Sequence, residues 1–126
     1  MKKHTIKIGG KTFPLAFTLD AMIMLQENIK DFDIGQLADY TREPKTLVEL
    51  IYAMAAQGAY LDGHPLEEDR RWFGAHISPA PKRIVAMQII ALNALNDGMK
   101  METEDDDAEE VDVVLEELKK KDSKAD

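Results

Sequence analysis

Ile6-Lys7-Ile8-Gly9-Gly10-Lys11-Thr12-Phe13-Pro14-Leu15, running on through Ala16 into Phe17-Thr18-Leu19-Asp20-Ala21-Met22, is the stretch on which the fold turns. Polar and apolar residues alternate from His4 to Ile8, a glycine pair interrupts, and an alternating run resumes through Phe17. Two short period-2 runs around Gly-Gly predict a β-hairpin, because glycine adopts the positive φ that two-residue hairpin turns demand. Pro14 has no N–H for a ladder, so the second strand is expected at an edge or to end early. Thr18 stands where an N-cap belongs. Ala21, Met22, Leu25 and Ile29 then recur at helical spacing, with Ile23 and Met24 widening the stripe.

Beyond this opening the pattern is helical. Asp33 is expected to cap a short second helix through Ile34, Leu37, Ala38 and Tyr40, ending before Pro44. Pro44 suits the first turn of a third helix, whose missing N–H would be unpaired there anyway. Its stripe is Leu47, Leu50, Ile51, Met54 and Ala55, and it is expected to stop between Gly58 and Leu61. Asp62-Gly63-His64-Pro65 is turn chemistry. A fourth helix is expected from about Leu66 to Ala75, with Glu67, Glu68 and Asp69 in its first turn. The fifth, from Pro81 to Asp97, is apolar on most sides, so it is central or meets a partner, and Gly98 is its expected C-cap. The expected fold is therefore mainly α (α+β): an N-terminal β-hairpin followed by a compact bundle of about five helices, occupying residues 1–100.

Residues 101–126 form a different unit. The net charge of −8 resides entirely there, since residues 1–100 hold twelve basic and twelve acidic side chains and the tail holds four against twelve. Such a run repels itself, so an acidic flexible tail is expected. Val111, Val114, Leu115 and Leu118 recur at helical spacing, predicting a short amphipathic helix within 109–121. Alone in water that helix is marginal, and it needs a surface to dock on.

The same composition narrows the chemistry. A neutral body and an acidic tail argue against nucleic acid, which needs a basic face; Lys2, Lys3, Lys7 and Lys11 read as solvated hairpin residues. The absence of cysteine removes disulfides, thiolate ligands and a cysteine nucleophile. His4, His64 and His76 fall on separate elements with no metal-ligand spacing, and Asp105-Asp106-Asp107 lacks the alternation and glycine of a calcium loop. Gly9-Gly10 has no helix after it and no Lys-Ser/Thr partner, so it is a turn and not a phosphate cradle. Ser78 and Ser123 are the only serines and neither sits in a nucleophile elbow. Trp72 and Phe73 read as core or lid residues. No catalytic residue, cofactor or metal is expected, and neither a secretory signal nor a membrane-spanning run is found.

On the quoted opening, Ile6 to Leu15 into Phe17 to Met22, with a helical body and a lysine-ended acidic tail, the chain resembles the tail assembly chaperones of long-tailed bacteriophages and prophages. The resemblance covers residues 4–100 in layout. It implies a non-enzymatic protein of the host cytoplasm that acts in several copies, binds and solubilises the helical tape measure protein, and promotes tail tube assembly around it. It further implies that a frameshifted longer form recruits tail tube protein; Lys119-Lys120-Lys121 fits either a slippery codon run or a solubilising helix end. Met22, Met24, Met54 and Met87 fit either gap-filling in the core or a yielding contact surface. On this reading the partner surface is expected on the third and fifth helices, around Leu50, Met54, Met87 and Ile90. The alternatives are a structural tail or connector subunit and a small regulatory adaptor.

Overall fold

In the computed structural model, which describes residues 4–100, the hairpin forms as expected: β1 (His4–Ile8) pairs antiparallel with β2 (Lys11–Leu15). Gly9 and Gly10 have φ of +58° and +79°, the type I′ combination that follows the twist of the strands. The closing pair is Ile8 with Lys11, and Ile6 faces Phe13. Counting from the closing pair, Pro14 opposite Thr5 is a non-hydrogen-bonded position, so its missing N–H interrupts no ladder bond. Ile6, Ile8, Phe13 and Leu15 are buried while Thr5, Lys7 and Thr12 face solvent. A lone hairpin is marginal, and this one is held by the helices beneath its apolar face.

Four α-helices follow: α1 (Leu19–Asn28), α2 (Pro44–Leu61), α3 (Arg70–His76) and α4 (Pro81–Met99). The Thr18 hydroxyl caps α1 by accepting from the Ala21 N–H at 3.2 Å and donates to Gln57 Oε1 at 2.9 Å, so one side chain both starts α1 and ties it to α2. The short second helix of the sequence reading is instead two 3-10 turns, Ile34–Gln36 and Asp39–Thr41. Four α-helices thus replace the expected five. The segment is short, carries Gly35, and spends the Asp33 and Thr41 side chains on local backbone bonds, all of which disfavour a continuous α-helix.

α2 is the hub, packing against β2, α1, the second 3-10 turn, α3 and α4. Leu50, Ile51, Met54 and Ala55 are fully buried on it, and Met87, Ala91, Ala94 and Leu95 meet them from α4. α2 ends at Leu61, within the expected range, while Gly98, the expected C-cap, lies inside α4, and Gly58 and Gly98 are both helical. A Cβ on Gly58 would fall on the Pro14 carbonyl oxygen, and one on Gly98 would stand 2.5 Å from the Phe17 oxygen. Each glycine marks where the hairpin strand or its exit passes against a helix backbone. The Ala16 N–H donates to the Met54 carbonyl at 3.1 Å across the same crossing.

α3 begins later than expected, at Arg70, because the Asp69 carboxylate caps it by accepting from the Trp72 N–H at 2.8 Å. Glu67 and Glu68 precede the helix, leaving Glu68 free to receive Lys11 Nζ from the hairpin. Trp72 and Phe73 are core residues: Phe73 is fully buried among Phe13, Tyr52 and Trp72, and Trp72 stacks on His76 at 4.2 Å. Among the described residues no helix is long and apolar enough to cross a membrane. The acidic tail, its expected helix, and Lys2 and Lys3 lie outside the described residues.

Candidate partner-binding groove

The partner surface expected at Leu50, Met54, Met87 and Ile90 is not a surface. Leu50, Met54 and Met87 are 0% exposed and Ile90 is half-buried against the same cluster. The stripes that carry these residues face each other across α2 and α4, where removing them from water stabilises the fold by roughly 1.5–3 kcal/mol per large side chain. Their methionines fill the core, which decides between the two roles open to them at Met54 and Met87.

Large apolar side chains are exposed elsewhere. Leu19 is 72%, Ile23 39% and Ile34 59% exposed, and together with Met22, Phe32 and Gln26 they line an apolar groove of about 440 Å³ between α1 and the first 3-10 turn. The groove follows from helix geometry. Leu19, Met22, Ile23 and Gln26 are spaced i, i+3, i+4 and i+7, so they form one row on the side of α1 turned away from Ala21 and Leu25, which are buried.

The far wall is built by the reversal after α1. Asp31 takes a φ of +57°, a left-handed conformation that short polar residues tolerate better than others, and this turns the chain back along the helix. Phe32 stacks on Tyr40 with centroids 5.6 Å apart and planes at 25°. The Asp33 N–H donates to the Tyr40 hydroxyl at 2.7 Å, and the Asp33 carboxylate accepts from the Gly35 N–H at 2.9 Å. Tyr40 is anchored in turn, being buried with its carbonyl accepting from Thr46 Oγ1 at 2.6 Å. The wall that holds Phe32 and presents Ile34 is therefore fixed to the start of α2.

The charge of this face is negative. Residues 19–34 carry Asp20, Glu27, Asp31 and Asp33 against Lys30 alone. An apolar floor with an acidic border suits a helix bearing apolar residues at three- and four-residue spacing and basic residues beside them. Sequence reasoning missed Leu19, Ile23 and Ile34 because the first two lay in or beside a helical stripe and Ile34 was assigned to a second helix. The available signal was that α1 has more apolar positions than one buried face can absorb.

The remaining polar features are structural. Lys11 Nζ meets Glu68 Oε2 and lies 5.6 Å from the Trp72 ring centroid, clamping the hairpin tip to α3. That hydrogen bond raises the Lys11 pKa and lowers that of Glu68. Glu49 pairs with Arg70 at 3.3 Å, yet its pKa is raised, since burial outweighs the guanidinium. His4 Nε2 of β1 is buried 3.2 Å from Asp97 Oδ2 near the end of α4 without making a hydrogen bond, and the two form an ion pair only where the imidazole is protonated. Among the described residues, no group of three or more histidine or carboxylate side chains could hold a metal. Comparison of the chain with protein-family models, with curated proteins and with solved structures finds no match.

Proposed function

We propose that this protein is a non-enzymatic phage tail assembly chaperone that holds a helical, aggregation-prone tape measure protein in solution through the α1 groove. The supporting observation is the row Leu19, half-buried Met22 and Ile23 facing Phe32 and exposed Ile34, with Asp33 in the lining. An isolated exposed leucine needs no explanation, but a contiguous apolar groove on a small domain marks an interaction site. A groove that takes one helix at a time, with affinity spread over few side chains, suits several copies binding along one long chain. No catalytic step, cofactor or metal enters this reading.

The test is co-expression with the protein encoded immediately downstream, followed by affinity capture and sizing of the soluble fraction. The chaperone reading expects a long helical protein, insoluble alone, to become soluble in a complex holding several copies of this chain. It also expects this chain to be absent from finished particles. Its retention in particles would instead indicate a structural tail or connector subunit, and a downstream protein that is soluble unaided and forms no complex would leave the adaptor reading.

A further inference from the structure

A second apolar groove opens where α2 and α4 begin, and it differs from the first in the sign of its charged lining residue. It encloses about 280 Å³ between Pro44, Leu47 and Val48 of α2, Ile77 and Pro79 of the link after α3, and Ile84 of α4. Val48, Ile77 and Ile84 are half-buried, and the two prolines are exposed. Lys45 is the charged residue of this lining; Lys82 and Arg83 stand in the first turn of α4, with the Arg83 guanidinium donating to the Lys7 carbonyl, and Arg42 before α2 pairs with Asp39. The ends of α2 and α4 add the positive ends of two helix dipoles, neither closed by a side-chain cap. The charged lining residue is Asp33 in the first groove and Lys45 in this one.

We propose that the chain's own segment Val111-Asp112-Val113-Val114-Leu115-Glu116-Glu117-Leu118 occupies this groove, with Val114, Leu115 and Leu118 against Leu47, Ile77 and Ile84, and Glu116 and Glu117 toward Lys45 and Lys82. Three observations converge on it. The segment is the one amphipathic stretch in residues 101–126, and its apolar positions need cover. The charges are complementary, because residues 101–126 hold twelve acidic side chains against four lysines and the groove carries Lys45 in its lining and the N-termini of two helices beside it.

The third observation is reach. Lys100 follows the end of α4, and Ile84 stands one turn inside its start. Sixteen residues of helix at 1.5 Å each put the groove about 24 Å back along α4. Residues 101–110 extend to roughly 33 Å, enough to carry Val111 to the groove with the acidic run bridging the length of the helix. Tethering by so short a linker gives an effective concentration of the order of millimolar, so a weak contact suffices to populate the docked state. The inference is independent of what binds at α1.

The chain lacks cysteine, so Ser123→Cys gives a single attachment point for a nitroxide just beyond the docked segment in the full-length protein. Docking predicts selective loss of amide signal intensity at Val48, Ile77 and Ile84, none at Ile23 in the other groove, and recovery on adding L115S and L118S. Those substitutions lie outside residues 4–100, and unchanged amide positions across the rest of 4–100 in the variant exclude loss of folding. Uniform or absent broadening would overturn the proposal. So would broadening seen only on unlabelled chains mixed with labelled ones, which would assign the groove to the tail of a second copy.

Discussion

At the scale of single residues, the account rests on where a side chain cannot fit and where a charge is held. Alanine is a better helix former than glycine by about 1 kcal/mol, so Gly→Ala inside a helix stabilises unless the Cβ meets something rigid. At Gly58 it meets the Pro14 backbone; at Gly74 it meets only the end of the flexible Arg70 side chain, at 3.2 Å. G58A is therefore expected to lower stability by about 1–3 kcal/mol and G74A to be neutral or stabilising by up to about 1, a difference of sign that urea unfolding reads directly. The carboxylates make a second pair. Glu68 is held below its ordinary value of 4.5 by the Lys11 hydrogen bond, so its stabilisation is present above that value and lost as pH falls through the folded one. Glu49 is raised by burial, so its relative contribution is greatest below 4.5 and is lost as pH rises through the folded value. E68Q should weaken the fold at pH 7 and converge on the unsubstituted protein toward pH 3, while E49Q should not weaken it at pH 7; urea midpoints at the two pH values check both. Much at this scale was legible: Gly9-Gly10 and Thr18 do locally what their chemistry dictates. The close approaches at Gly58 and Gly98 were not, because a glycine near a helix end and one that lets a strand cross the helix look the same in one dimension.

At the scale of elements, the reversal from α1 to α2 shapes the groove, and its keystone is Tyr40. Removing its hydroxyl leaves the Asp33 N–H without its 2.7 Å acceptor, while the ring stack on Phe32 survives. Tyr40→Phe is expected to cost about 1 kcal/mol, the size of one hydrogen bond, and to raise amide exchange across 31–36 without altering the hairpin. The helices α1, α2 and α4 were readable from periodicity and from proline at the first turn. The segment 34–41 was misread as a helix because Ile34, Leu37 and Tyr40 repeat every three residues, a spacing that a 3-10 turn satisfies as well as an α-helix. The partner surface was misplaced for a related reason. Periodicity identifies an apolar face but not what covers it, and the faces holding Leu50, Met54 and Met87 cover one another.

At the scale of the whole molecule, a hub helix carries the hairpin on one side, and the described residues leave two apolar grooves, with Asp33 in the lining of one and Lys45 in that of the other, to which the proposals assign a helical partner and the acidic segment of the chain. Both Ile23 and Ile34 are solvent-exposed, so charging them leaves the core intact, whereas the same change at Leu50 or Met54 would unfold it. The decisive measurement is the soluble fraction of the co-expressed downstream protein, the proposed partner, with the unsubstituted chain and with I23D/I34D, alongside thermal unfolding of the two forms. The account predicts equal unfolding midpoints and loss of the soluble complex for the double variant. Full solubilisation by a folded I23D/I34D would contradict it and place the partner elsewhere on the surface.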